Sequence, residues 1–232
     1  MKLRTRLDEE LQRTCLADAA QTFTDVLYEE LQESAVLFRL FVTVPFASLG
    51  REEKDFAAEL AEARGFADDL NDETRVVCLL GSAGTRAQWN DRHQSKRHLA
   101  VPLAQASFIQ TIPLVARLMS DMNTGLDWVE KQKGRISVKS FGTMARLLYV
   151  EDAATDKTSD GFSLIPDQDF VKENGVKTVV GLGGAYLNRS VVTVILFTNE
   201  TIPRRSVEKF MPVINTFKVA TMKLVAEGRV FE

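Results

Sequence analysis

Between Ser82 and His98 the chain gathers both of its histidines, one of its two tryptophans and four cationic side chains, Arg86, Arg92, Lys96 and Arg97. An indole, imidazoles and guanidinium groups brought together can stack on and neutralise an anionic or aromatic molecule. The stretch directly follows the apolar run Arg75-Val-Val-Cys-Leu-Leu80, and loops standing on a buried strand are where binding groups commonly sit. Trp89, Asp91, Arg92 and His98 are therefore candidate ligand-binding residues. A plainer role also fits, in which the loop is solvated, Trp89 pins it to the core and Asp91 pairs with a nearby arginine.

Arg39 joins the candidates for a different reason. It interrupts the apolar run Ser34-Ala-Val-Leu-Phe-Arg-Leu-Phe-Val-Thr-Val44, where a buried charge is costly unless paired. Either it stands on an exposed edge or it points into a polar pocket, with Asp91, Glu151 or Asp169 as possible partners.

Other chemistries find less support. His93 and His98 are five residues apart and share no helix face, and no cysteine cluster completes a metal site. Haem held by one axial imidazole, that of His98, stands as an alternative, and the cofactor is otherwise unknown. Gly181-Leu-Gly-Gly184 lacks the sixth-position glycine of a dinucleotide loop, since Tyr186 stands there, and it leads into a strand. Those glycines signal a close backbone approach or a bulge. No Gly-x-Ser-x-Gly elbow or phosphate loop is present, so no catalytic residue is assigned.

These groups must be held by a core, and composition allows one. The chain has 232 residues, 45% of them hydrophobic, and a formal net charge of −3. That balance, with a pI near 5.6, carries no basic footprint for nucleic acid. No apolar run spans a bilayer and no signal core opens the chain, so a cytoplasmic protein without membrane contact is expected. Cys15 and Cys78 read as reduced core thiols.

Periodicity predicts the elements. Leu7, Leu11, Cys15, Ala19, Phe23, Val26, Leu27 and Leu31 predict one long amphipathic helix over about 4–33. The run 34–44 predicts a central strand covered on both faces. A helix over 51–66 closed by Gly65, a second strand over 75–82 and a polar irregular stretch over 83–98 follow. A helix over 106–119, helical turns over 126–132 and a weak region from Gly134 come next, before a third strand over 146–150. Glu151–Leu164 is a long polar loop, mobile or functional. Pro166–Asn174 starts a short helix. A β-hairpin, Gly175–Tyr186 and Ser190–Thr198, turns at Leu187-Asn188-Arg189. A final helix from Pro203, with Thr201 as its cap and a bend at Pro212, closes the chain.

This order of elements, and Val171–Val180 leading through a turn to Val191–Phe197, resembles a GAF domain, a relative of PAS sensor domains. The insert between the second and third strands is larger than usual, and glycines replace a Pro-containing turn. The resemblance implies an α/β (α+β) fold: a central antiparallel sheet of five or six strands flanked by long N- and C-terminal helices. It implies a single GAF-like sensory domain over 1–232, with an N-terminal helix in 1–34, an insert over 83–132 and a C-terminal helix over 203–228. It further implies a non-catalytic sensor that binds a small molecule in a pocket over the sheet and passes the change to its terminal helices. A homodimer through those helices and a signalling-protein partner are part of that expectation. A ligand-free dimeric adaptor is the alternative from a different class.

Overall fold

A computed structural model describes residues 2–11, 13–112, 146–158, 161–188 and 190–231, and statements of absence below refer to these. The elements run α1 (Lys2–Glu10), α2 (Leu16–Leu31), β1 (Ala35–Pro45), α3 (Arg51–Ala63), β2 (Arg75–Gly84), β3 (Ala100–Pro102), α4 (Ala106–Gln110), β4 (Arg146–Val150), α5 (Gln168–Glu173), β5 (Thr178–Ala185), β6 (Val191–Thr198), α6 (Arg204–Val207) and α7 (Met211–Ala226). Six strands form one sheet in the order β3-β2-β1-β6-β5-β4. Every pairing is antiparallel.

Strand β1 lies in the middle, which is why its sequence is apolar almost throughout. Phe38, Leu40, Val42 and Val44 face a core shared with Phe23 and Leu27 of α2, Phe217 and Leu224 of α7, and Leu7 of α1. The terminal helices therefore cover one face of the sheet, with the rings of Phe23 and Phe217 4.9 Å apart. The opposite face carries Leu37, Val179 and Val150, packed with Leu164, Ile165 and Val171. A smaller cluster there joins Phe66 and Phe108, whose ring centroids are 5.0 Å apart.

The expected single N-terminal helix is two. Cys15 is extended, with φ −133° and ψ 164°, and its Sγ accepts from the Asp18 N–H, so it caps a new helix. The exposed donors of that helix start find partners at the other end of the chain: Leu16 and Ala17 N–H donate to the carbonyls of Arg229 and Val230, each at 2.9 Å. Free N–H groups at a helix start need such acceptors. Leu7, Leu11 and Cys15 stay buried across the break, so the hydrophobic spacing conceals it.

The C-terminal helix is likewise divided. Pro203, and not Thr201, occupies the cap position of α6, a 3₁₀ turn Glu208–Phe210 follows, and Pro212 lies at the start of α7. Proline is tolerated there because its missing N–H has no acceptor in a first turn. The sixth strand, β3, is the short edge Ala100–Pro102 paired with Val76–Cys78. The expected helix over 106–119 is seen as Ala106–Gln110 and ends at Thr111; residues 113–119, the turns at 126–132 and the region from Gly134 to 145 lie outside the described residues. The loop Glu151–Leu164 is tied in: the Asp156 carboxylate accepts from the N–H groups of Glu151 and Asp152, and Lys157 bridges to Ser163.

Close approach explains two glycines. A Cβ on Gly81 would stand 2.4 Å from the Ala20 carbonyl oxygen, so α2 rests its backbone directly on β2. The Gln21 amide completes that seat by exchanging hydrogen bonds of 2.9 and 3.1 Å with the Ser82 carbonyl and N–H. In the hairpin, a Cβ on Gly181 would meet the Leu148 side chain at 2.9 Å, so the close neighbour there is a side chain and not a backbone. Among the described residues no helix is long and apolar enough to cross a membrane.

Gly81→Ala is expected to lower the unfolding free energy in urea by about 3 kcal/mol, since two backbones must part to admit the methyl group. Gly65→Ala, at φ +75° with nothing within 4 Å, is expected to cost about 1 kcal/mol from strain alone. Equal losses in the two variants would show that α2 does not bear on Gly81.

Candidate functional site

The sheet face away from the terminal helices carries the polar chemistry. On β1 the side chains alternate, so Leu37 and Arg39 share that face while Phe38 and Leu40 enter the helix-side core. Arg39 is paired across β6 with Ile195, and Phe41 with Thr193. Thr193, Ile195, Arg39 and Phe41 thus lie on one face of one strand pair. Arg39 sits on a central strand, so of its two expected settings the exposed edge is excluded.

The segment after β2 is laid over this region by several fixings. Ser82 Oγ donates to the Trp89 carbonyl at 2.6 Å, and the Asn90 side-chain oxygen accepts from Gly84 N–H at 2.7 Å. Trp89 packs edge-on to Phe170, with centroids 5.7 Å apart, and the Arg86 guanidinium lies 5.0 Å over its ring. It anchors the loop to the second core cluster. Asp91 caps the following 3₁₀ turn by accepting from His93 N–H; its partners are within the turn, with no arginine among them. Arg97 reaches Asp167 at 3.1 Å, and His93 pairs with Glu52.

Arg92 has the strongest fixing. Its Nη1 donates to Glu53 Oε1 at 2.5 Å, and the two side chains are only 14% and 3% exposed. The guanidinium also stacks 5.1 Å from the Phe231 ring centroid. Glu53 on α3, Arg92 on the loop and Phe231 on the C-terminal tail therefore meet at one point. Sequence reasoning missed Glu53, because a glutamate in an acidic helix start looks like any solvated one.

Beneath the loop, Arg39 and His98 come together. Arg39 Nη1 lies 3.4 Å from His98 Nδ1. Guanidinium is a donor only, so Nδ1 accepts and the ring proton resides on Nε2. That tautomer leaves no lone pair on Nε2 for an iron in this arrangement. Among the described residues no group of three or more His, Cys, Asp or Glu side chains is placed to hold a metal ion. No described carboxylate pairs with Arg39, so the expected partners Asp91, Glu151 and Asp169 are not in place; its Nε is buried with no hydrogen-bond partner. Ser95 Oγ and Thr193 Oγ1 are likewise buried without partners. Both residues were passed over in the sequence, although Thr193 is a polar residue on the same face as Arg39.

Burial sets the electrostatics. Desolvation draws the Arg39 guanidinium down to about 10. His98 is pushed down to about 4, first by burial and then by the positive charges of Arg39 and Arg97. The imidazole is consequently neutral near pH 7 and serves Arg39 as an acceptor. The arrangement is a half-buried cation with no described acidic partner and the idle Thr193 hydroxyl on the same face. An apolar cavity of about 60 Å³ lies on the other side of the sheet, lined by Leu27, Phe38, Leu182, Val194 and Phe210 among others. It offers no charged group and room for only a few atoms, so the polar face is the better candidate.

The six-stranded antiparallel sheet, with helices on one face and a long connection crossing the other, defines a GAF-like fold. No protein-family model matches the sequence, and no curated protein matches it. Solved structures do: a phycoerythrobilin-bound GAF domain from a cyanobacterial phytochrome aligns over 97% of this chain and 96% of its own, at TM-score 0.51 and 10% identity. A phycocyanobilin-bound GAF domain from a cyanobacterial phytochrome aligns over 97% and 95%, again at TM-score 0.51 and 10% identity. At this identity the likeness is one of fold.

Two measurements check the site. Glu53→Gln leaves Arg92 buried without its counter-charge and is expected to cost about 3 kcal/mol in urea unfolding; a loss below 1 kcal/mol, within the range of an exposed pair, would mean that the pair is effectively solvated. For His98 the folded value lies below the unfolded one, so the unfolded chain binds the extra proton between about pH 6.5 and 4. Stability is therefore lost as pH falls through that window. His98→Gln is expected to flatten the fall, and an unchanged pH profile would place the ring in water.

Proposed function

We propose that this chain is a non-catalytic sensory domain that binds a small organic molecule on the sheet face beneath residues 85–104. The carrying observation is Arg39: a half-buried guanidinium with no described carboxylate beside it, a buried Nε without a hydrogen bond, and the unbonded Thr193 hydroxyl on the same face of the strand pair. A protein gains nothing in stability by keeping such a charge, and binding groups are the usual reason to keep one. The GAF domains of like fold carry bilin chromophores, which supports small-molecule binding as the role of this one.

In this reading the ligand completes the coordination of Arg39 and fixes the loop that carries His98. The same loop carries Arg92, and through Glu53 and Phe231 a change in its position reaches α3 and the C-terminal tail. Binding then shifts a population between loop positions, by as much as the ligand prefers one over the other. Trp89, Asp91 and Arg92 shape and hold the loop, while Arg39 and His98 face the ligand.

A dimeric adaptor is the second reading, favoured by one observation. Val219 and Met222, on the outer side of α7, and Leu187 at the hairpin turn are 72%, 51% and 83% exposed. Phe217, in contrast, is fully buried against Phe23, so an interface on this helix would use Val219 and Met222.

Native mass spectrometry of the purified protein separates these readings, because it reports bound mass and copy number together. The expected result is a retained small mass that disappears in Arg39→Leu, with the ligand-free variant about 1 kcal/mol more stable than the ligand-free parent. A ligand-free dimer broken by Val219→Glu would favour the adaptor. A drop in stability on Arg39→Leu would make Arg39 a structural residue and end the sensor reading at this face.

A further inference from the structure

The geometry points to the chemical class of that ligand: we infer a small monocarboxylic acid with an apolar body, its carboxylate held by Arg39 and Thr193. The inference rests on the binding role proposed above and adds the group that is recognised.

Charge comes first. The other arginines near the loop are engaged, Arg86 with Glu173, Arg92 with Glu53 and Arg97 with Asp167. Arg39 has no acidic partner, and His98 beside it is neutral near pH 7. One buried positive charge is matched by one negative charge. A phosphate monoester, carrying about −1.5 to −2 at neutral pH, would bring an uncompensated buried charge of its own.

Donor geometry comes second. His98 takes Arg39 Nη1, which leaves the side of the guanidinium bearing the unbonded Nε. A carboxylate accepts from two parallel guanidinium N–H groups in its own plane. Its oxygens have lone pairs left over, and the idle Thr193 hydroxyl on the same face can use one. Thr193 is 5% exposed, so water does not readily serve it. Leaving such groups unbonded is costly, and the cost ends when an acceptor arrives.

The surroundings supply the third argument. Phe41 and Ile195 flank Thr193 and Arg39 on the same face of the strand pair and are only half-buried. Apolar surface beside a single charged anchor suits a ligand with one acid group and a hydrocarbon or aromatic remainder.

The test uses the full chain, labelled with ¹⁵N, and follows the Arg39 Nε–H resonance during titration with acetate, benzoate, benzamide and inorganic phosphate. Expected is a saturable shift with both acids, with benzoate bound more tightly than acetate. Benzamide, the neutral isostere, and phosphate should each bind at least about tenfold more weakly than benzoate, the scale of one charge-assisted hydrogen bond. Arg39→Lys keeps the charge and removes the fork, and should weaken benzoate about tenfold. Thr193→Val should weaken it by roughly fivefold, as for one neutral hydrogen bond. Absence of any shift with both acids, equal binding of benzamide, or tighter binding of phosphate would overturn the inference. A retained ligand that carries no acid group would overturn it while leaving the sensory role intact. A protein that keeps no ligand and ignores both acids would lose both readings.

Discussion

The sheet is joined at its centre by strands from opposite ends of the chain, and the rest of the molecule is arranged around that pairing. Ala35–Val42 of β1 hydrogen-bonds with Val192–Thr198 of β6. Bringing such distant segments together carries a large loop-closure entropy, and the apolar faces on both sides of β1 offset it. On one side Phe38, Leu40 and Val42 complete the core under α2 and α7. On the other, the same pairing sets Arg39 opposite Ile195 and one step from Thr193. The element that does most for stability is thus also the one that carries the misfit charge.

That coincidence explains why the site is polar in a place where the fold would tolerate none for its own sake. A lone guanidinium on an edge strand would be solvated and would select nothing. On a central strand it is half-buried with its Nε closed off, so its attraction for an anion is stronger than it would be in water. His98 tempers the cost without removing it, since a neutral imbalance of one contact at 3.4 Å replaces only part of the lost hydration. The idle hydroxyls of Ser95 and Thr193 belong to the same economy of incomplete satisfaction.

Much of the fold was legible because the strands are long and the patterns strong. The run 34–44 reads as central because a strand covered on both faces shows no polar alternation, and the hairpin reads from its two β-branched runs around Asn188. What escaped is what periodicity does not encode. β3 has three residues, too few for a period, and ends in Pro102. The break at Cys15 hides because Leu7, Leu11 and Cys15 keep helical spacing, while the carbonyls that cap α2 come from Arg229 and Val230. In the site, Arg39 and His98 announced themselves as a misplaced charge and one of two histidines, but their meeting depends on the loop's path. Ser95 and Thr193 carry no signal as residue types; only their burial without partners distinguishes them. Arg92 was noticed as a cation, and its use against Glu53 could not be read from either residue alone.

The tail Gly228–Phe231 has a mechanical meaning beyond its hydrogen bonds. At one end Arg229 and Val230 grip the first turn of α2 through two bonds of 2.9 Å; at the other, Phe231 lies against the Arg92 guanidinium. Consecutive residues of the tail therefore join the start of α2 to the Arg92 side chain. Since α2 also has its backbone seated on Gly81, one helix is held at its start by the tail and further along by β2.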